Sequence, residues 1–179
     1  MTTEAPAIDA PKPPAITANG WLALGVAAAA IIADQLSKLW IIHGLKLELG
    51  QSLPVTPFFS LTGVLNPGVS FGMLRADSLF GRVMLILFAL VVIAVLAALA
   101  RRTERRLTAV ALGLVMGGAV GNNLIDRIRL GHVIDFLDFS GLHFPWVFNV
   151  ADSAISVGVA LLLLDTLRPQ PKPGPDAPV

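Results

Sequence analysis

Cysteine is absent from the 179 residues, which excludes disulfides, thiolate-bound zinc or iron–sulfur centres, thiol catalysis and a lipidated cysteine on the chain itself. Charge is scarce as well. Lys, Arg, Asp and Glu make up 14% of the chain, where a soluble globular domain carries about 25%. The formal net charge is only +1 and no Lys/Arg stripe with interleaved aromatics occurs, so nothing points to a nucleic-acid partner. No H-E-x-x-H or comparable ligand cluster is present, which leaves no metal or cofactor to expect. What the chain has in quantity is apolar surface. Hydrophobic residues make up 55% and the mean hydropathy is +0.75, the composition of a membrane protein.

Four apolar runs, about 21–42, 79–100, 107–127 and 147–167, are each near the roughly 20 residues that cross the hydrocarbon core. They predict an all-α integral membrane protein with four transmembrane helices. The proline-rich ends, 1–20 and 169–179, read as disordered tails, and the first lacks the basic start of a secretory signal. Residues 101–106, between the second and third runs, hold four arginines in six positions. By the positive-inside rule this short link is cytoplasmic, and both termini lie on its side. Two segments, 43–78 and 131–146, are then extracytoplasmic. The first carries short β-branched pieces at 46–49 and 55–62, broken by Pro54, Pro57, Gly63, Pro67 and Gly68, and predicts a small sheet on the outer face. The second is apolar and aromatic enough to lie at the membrane interface.

Small residues mark where helices meet, because in lipid close backbone approach replaces hydrophobic drive. Gly113, Gly117 and Gly121 recur every four positions on the third run, Gly25, Ala29 and Ala33 on the first, and Ala154 with Gly158 on the fourth.

Charged side chains inside a span cost about 2.5–3.5 kcal/mol each on insertion scales, so the few present need a reason. Asp34 and Lys38 are four apart on one helical face, an ion pair that orients the first helix and grips headgroups. Asn122, Asp126 and Arg127 end the third run as a carboxylate, an amide and a guanidinium able to satisfy one another. Asp135 and Asp138 follow among Val133, Ile134, Phe136, Leu137 and Phe139. Asp152 and Asn149 lie one turn into the fourth run, three positions apart on one face. Asp135 and Asp152 therefore belong at one depth near the outer surface.

Two acids within a few Å cannot both ionise cheaply and share a proton, which suits them to activate water against a peptide bond. Serine-type hydrolysis needs a base, and His43, His132 and His143 all fall in the outer segments. Glycoside hydrolysis also uses two carboxylates, with a more polar cleft than this surface supplies. An ion-coupled carrier would spread its acids through the membrane depth, and a non-enzymatic scaffold would use the same acids structurally. The residues alone give an outward acidic site on a four-span protein and leave its chemistry open.

Over roughly residues 20–168 the chain resembles the lipoprotein signal peptidases, the bacterial signal peptidase II family. The matching pieces are Asp34-Gln35-Leu36-Ser37-Lys38, Asn66-Pro67-Gly68-Val69-Ser70-Phe71, Gly121-Asn122-Asn123-Leu124-Ile125-Asp126-Arg127, Val133-Ile134-Asp135-Phe136 and Phe148-Asn149-Val150-Ala151-Asp152. The resemblance implies an aspartic endopeptidase of the bacterial inner membrane with catalytic Asp135 and Asp152. It implies supporting or substrate-contacting roles for Asn66, Gly68, Asn122, Asp126, Arg127, Asn149, Ala151, Asp34 and Lys38. The implied substrate is a diacylglyceryl-modified prolipoprotein, cut immediately before its lipidated cysteine, and the implied partners are that substrate and membrane lipids. One four-helix unit can hold the whole site, so a monomer is expected. Pro67 departs from the small polar residue usual at its position and removes a backbone donor there.

Overall fold

The computed structural model describes residues 15–68 and 78–167; the tails beyond them and the Val69-Ser70-Phe71 piece lie outside the described residues. The first helix, α1 (Ala18–Leu39), begins earlier than its apolar run. Thr17 caps it by accepting from Gly20 N, while its own N–H and hydroxyl reach Arg101 O at 3.0 Å and Thr103 O at 2.7 Å. The start of α1 is thus tied to the arginine-rich link. A π turn (Trp40–Gly44) ends the helix, and Ser78 caps α2 (Leu79–Ala100) through Gly81 N. The third run is one continuous rod: α3 (Arg106–Ala119), a π-helical stretch (Val120–Asp126) and α4 (Arg127–Leu130). Gly131 stops it with φ of 82°, a left-handed cap that suits glycine.

Three described helices are long and apolar enough to cross a membrane, Ala18–Gly44, Leu79–Ala100 and Arg106–Leu130. The fourth run divides. Val147–Phe148 form strand β4, Asn149 is the cap, and α5 (Val150–Thr166) has 17 residues.

Between the helices lies a four-stranded antiparallel sheet in the order β1 (Ser52–Thr56), β2 (Phe59–Asn66), β3 (Val133–Asp138), β4. Both outer segments contribute to it, so the second is not merely interfacial chain. The 46–49 piece is not a strand. Lys46 takes φ of 52°, and only Leu49 bridges to Gly63. Alternation along β3 sends Asp135 to the buried side and Asp138 to the other, where Thr62 donates to it at 2.6 Å.

α3 is the central rod, with α1 on one side and α5 on another. A Cβ on Gly113 would meet Ala23 O at 2.5 Å and one on Gly117 would meet Ala27 O at 2.6 Å, so the glycine ladder is where α1 packs. Gly118 faces Ala151, and Gly158 faces Ala111, which joins α3 to α5. On α1 the contacting face is Ala23, Ala27 and Ala30, all buried, whereas Gly25, Ala29 and Ala33 look outward. A Cβ on Gly25 would meet nothing within 4 Å. Gly117→Leu should therefore cost about 1–3 kcal/mol by overpacking, read as a lower Tm in detergent, while Gly25→Leu should leave Tm unchanged or higher. Equal stability of the two variants would contradict this packing.

Candidate active site

The site forms where the C-terminal end of α1, the π-helical stretch, β3 and the start of α5 converge. Its centre is Lys38, 3% exposed, whose ammonium uses all three N–H groups. It meets Asp34 Oδ2 at 2.7 Å, Asp126 Oδ2 at 2.7 Å and Asn122 Oδ1 at 2.8 Å. Asp34 is wholly buried, and its second oxygen accepts from Ala151 N at 3.0 Å. The Asp34–Lys38 pair predicted from spacing is present, but it binds neighbouring helices and not headgroups. Gln35 was not singled out as a site residue. Its amide nitrogen bridges Asp34 Oδ2 at 3.1 Å and Asp126 Oδ1 at 2.9 Å. The available signal was an amide one residue from a buried acid.

Asp126 and Arg127 do not pair as expected from their adjacency. Arg127 is buried, and its Nη1 and Nη2 donate to Pro67 O at 2.9 Å and Gly68 O at 2.8 Å, leaving Nε without a partner. Consecutive helical residues point in different directions, so Lys38 takes Asp126 and the guanidinium takes the loop.

Asn149 links the two acids of interest. It is wholly buried at the N-cap of α5, and with Asp152 it makes a capping box. Its Oδ1 accepts from Asp152 N at 2.9 Å, and its own N–H donates to Asp152 Oδ2 at 3.2 Å. Its Nδ2 donates to Asp135 Oδ1 at 2.6 Å and to Asn122 Oδ1 at 3.1 Å. Asn122 Nδ2 donates to Asp152 Oδ1 at 2.9 Å, and Asn66 Nδ2 to Asp135 Oδ2 at 3.0 Å. Every oxygen of the two carboxylates thus has an N–H donor. Burial, with the charge of Asp152 adding to it, pushes the Asp135 carboxyl up to about 6, against the pull of Asn66, Asn149 and Lys38. Two acids held by one asparagine, Asp135 by its side chain and Asp152 by its backbone N–H, are placed to share a proton and activate a water.

All eleven residues implied as site members lie in this assembly, with Gly68 at its edge under Arg127. Asp138 does not join it. Among the described residues no group of three or more His, Asp or Glu side chains converges as metal ligands would. Gly68-Val69-Ser70-Phe71-Gly72 does spell G-x-S-x-G, the nucleophile-elbow pattern. Ser70 lies outside the described residues. A further buried acid away from the site, Asp165, escaped the sequence reading. At the far end of α5 it accepts from Thr108 at 2.6 Å and pairs with Arg105 at 2.9 Å.

Removing the Lys38 ammonium leaves Asp34 and Asp126 buried without their common cation. Lys38→Met should cost about 3–5 kcal/mol, seen as a large fall in Tm or folded yield in detergent. A variant of parental stability would show that the two acids find other compensation.

A family model described as signal peptidase (SPase) II matches residues 26–168. The lipoprotein signal peptidase of Caulobacter vibrioides is 55% identical over 151 residues, covering 84% of this chain and 89% of its own length. That of Geobacter metallireducens is 46% identical over 156 residues, covering 84% and 93%. A bacterial membrane enzyme solved by the in meso method matches with a TM-score of 0.72 and 27% identity over 86% of this chain and 94% of its own. A second such structure matches at 0.69 and 28% over 84% and 95%. Sequence likeness along nearly the full length of these relatives, and a shared fold, agree on one conclusion: the chain belongs to the signal peptidase II family.

Proposed function

We propose that this chain removes the signal peptide from prolipoproteins as an aspartic endopeptidase, with Asp135 and Asp152 as its water-activating pair. The observation that carries the reading is Asn149, which donates to both carboxylates at once. In the step proposed, the ionised acid takes a proton from water as its oxygen adds to the scissile carbonyl. The protonated acid hydrogen-bonds the carbonyl oxygen, and the tetrahedral intermediate collapses as the leaving amine gains a proton. Asp126, held by Lys38 and Gln35, supports the site and takes no part in proton transfer. The substrate is a diacylglyceryl-modified prolipoprotein, cut before its lipidated cysteine. Its own lipid holds the scissile bond at the membrane surface, which is where the acids are expected from hydropathy.

We place the chain in the bacterial inner membrane with four spans, α5 being the short fourth. Outward-facing Val157, Val159, Leu163 and Leu164 on α5 support that reading. Both termini then lie with the arginine-rich link in the cytoplasm, the sheet outside, and one chain holds the whole site. In this cysteine-free chain, Glu104→Cys should label with an impermeant thiol reagent only after the inner face is opened. Thr56→Cys should label in intact spheroplasts. The reverse pattern would overturn the orientation.

Asp135→Asn and Asp152→Asn should each lower cleavage of diacylated prolipoprotein by about 10³-fold or more, and the double variant should be no worse than either, because the two act as one unit. The folded Asp135 carboxyl ionises near 6 and the unfolded one near the ordinary value of about 3.9. Its burial therefore costs stability that grows as pH rises through that window and is fully present above it. Asp135→Asn should consequently match or exceed parental Tm at pH 7 and lose the advantage near pH 4. Near-normal turnover by a folded single variant rejects the pair.

A further inference from the structure

Asn66-Pro67-Gly68 carries a proline between the two residues matched to the family's motif, and its geometry gives that proline a use. Asn66 Oδ1 accepts from Gly68 N at 3.0 Å, closing an Asx turn with Pro67 at its corner. That bond fixes which end of the carboxamide faces which partner. With the oxygen turned to Gly68, the nitrogen is left to donate to Asp135 Oδ2 at 3.0 Å. Proline sets φ near −65° and so pre-forms the corner. The next carbonyls are held too, because the buried Arg127 donates to Pro67 O at 2.9 Å and Gly68 O at 2.8 Å.

We propose that Pro67 is a positioning residue for the reaction, acting with Arg127 to lock the Asn66 carboxamide as a hydrogen-bond donor to Asp135. This rests on the proposed catalytic role of Asp135. An amide flipped the other way would present an oxygen, which only the protonated carboxyl can satisfy. The locked turn therefore favours the ionised acid, and loosening it raises the pH at which Asp135 loses its proton. The lost backbone N–H at Pro67 is then no defect, since the turn uses the Gly68 N–H.

Other charges reach Asp135 from every element packed on it. They are Lys38 from α1, Arg127 from the central rod and Asp152 from α5, with Asp34 and Asp126 paired to Lys38 behind them. The test must isolate the turn from these. The pH–rate profile for cleavage of diacylated prolipoprotein is compared for the full-length parent and for Pro67→Ala, Asn66→Ala, the double variant, and Pro57→Ala at the exposed β1–β2 turn as a control. Pro67→Ala should move the acidic limb up by about half a pH unit, the scale of a pre-set proline, and Asn66→Ala by about one unit or more. Added to Asn66→Ala, Pro67→Ala should shift nothing further, because it acts only through that amide. Arg127→Lys should move the limb in the same direction as Pro67→Ala.

A Pro67→Ala limb identical to the parent's, or a shift that persists undiminished on the Asn66→Ala background, overturns the proposal while leaving the catalytic pair intact. Turnover by folded Asp135→Asn overturns the reading beneath it, and that assay is independent of the turn.

Discussion

A lysine ammonium buried near the end of a membrane helix must satisfy three N–H groups and one charge without water, and the site is arranged around the way Lys38 does this. Two carboxylates and an amide oxygen accept its hydrogen bonds, and they come from α1 itself and from the π-helical stretch of the central rod. Breaking such a cluster is costly, because each group left behind is a buried unpaired charge. The cluster is not electrically neutral on its own. Counting outward among the described residues, Asp34, Asp126, Asp135 and Asp152 gather around Lys38 and Arg127. An excess of negative charge in a buried volume favours retention of a proton, and burial beside Asp152 pushes up Asp135, whose oxygens are held by neutral N–H donors instead of by Lys38.

Packing and electrostatics meet on the same residues. The ladder that lets α1 lie against the rod ends at Gly121, where a Cβ would come within 2.8 Å of Asp34 Oδ2. The same small side that brings the backbones together therefore makes room for the carboxylate that Lys38 needs. Ala151 is held from two directions. Asp34 takes its N–H, and its carbonyl lies against Gly118. That pins the first turn of α5, and with it Asp152, to both α1 and the central rod.

Much of this was legible in the sequence. Three of the apolar runs appear as long helices, the Gly113–Gly117–Gly121 ladder packs as its spacing predicts, and the depth argument brought Asp135 and Asp152 to one place. The errors have physical causes. On the alanine-rich α1 two small faces compete, and Gly25-Ala29-Ala33 looked as good as Ala23-Ala27-Ala30. Only the second continues through Asp34 to Lys38 on the buried face, so the charges mark the inner side more surely than the glycine does. The pairing of β2 with β3 joins segments separated by two long helices, and no local pattern specifies such a register. Adjacency suggested an Asp126–Arg127 pair, but the partner of Arg127 is loop backbone about sixty positions earlier, a contact set by topology.

Asn149 shows why folding and chemistry are hard to separate at this site. Its carboxamide begins α5 by capping Asp152 N, and the same group holds Asp135 in place from across the interface. A helix N-terminus left uncapped is destabilised by roughly 1 kcal/mol, so any change at Asn149 weakens α5 while it disturbs both acids. Asp152 is in the same position, since its carboxylate is the reciprocal half of the capping box. Asp135 caps nothing. It lies on a strand held by its own ladder, and of its two side-chain donors Asn149 also has Asn122 Oδ1 and Ile134 O to donate to. Of the two acids it is therefore the one whose charge can be removed with the least structural consequence. An ionisable group kept there, at a cost in stability above about pH 6, supports the proposed role of Asp135 in the chemistry over one in holding the fold.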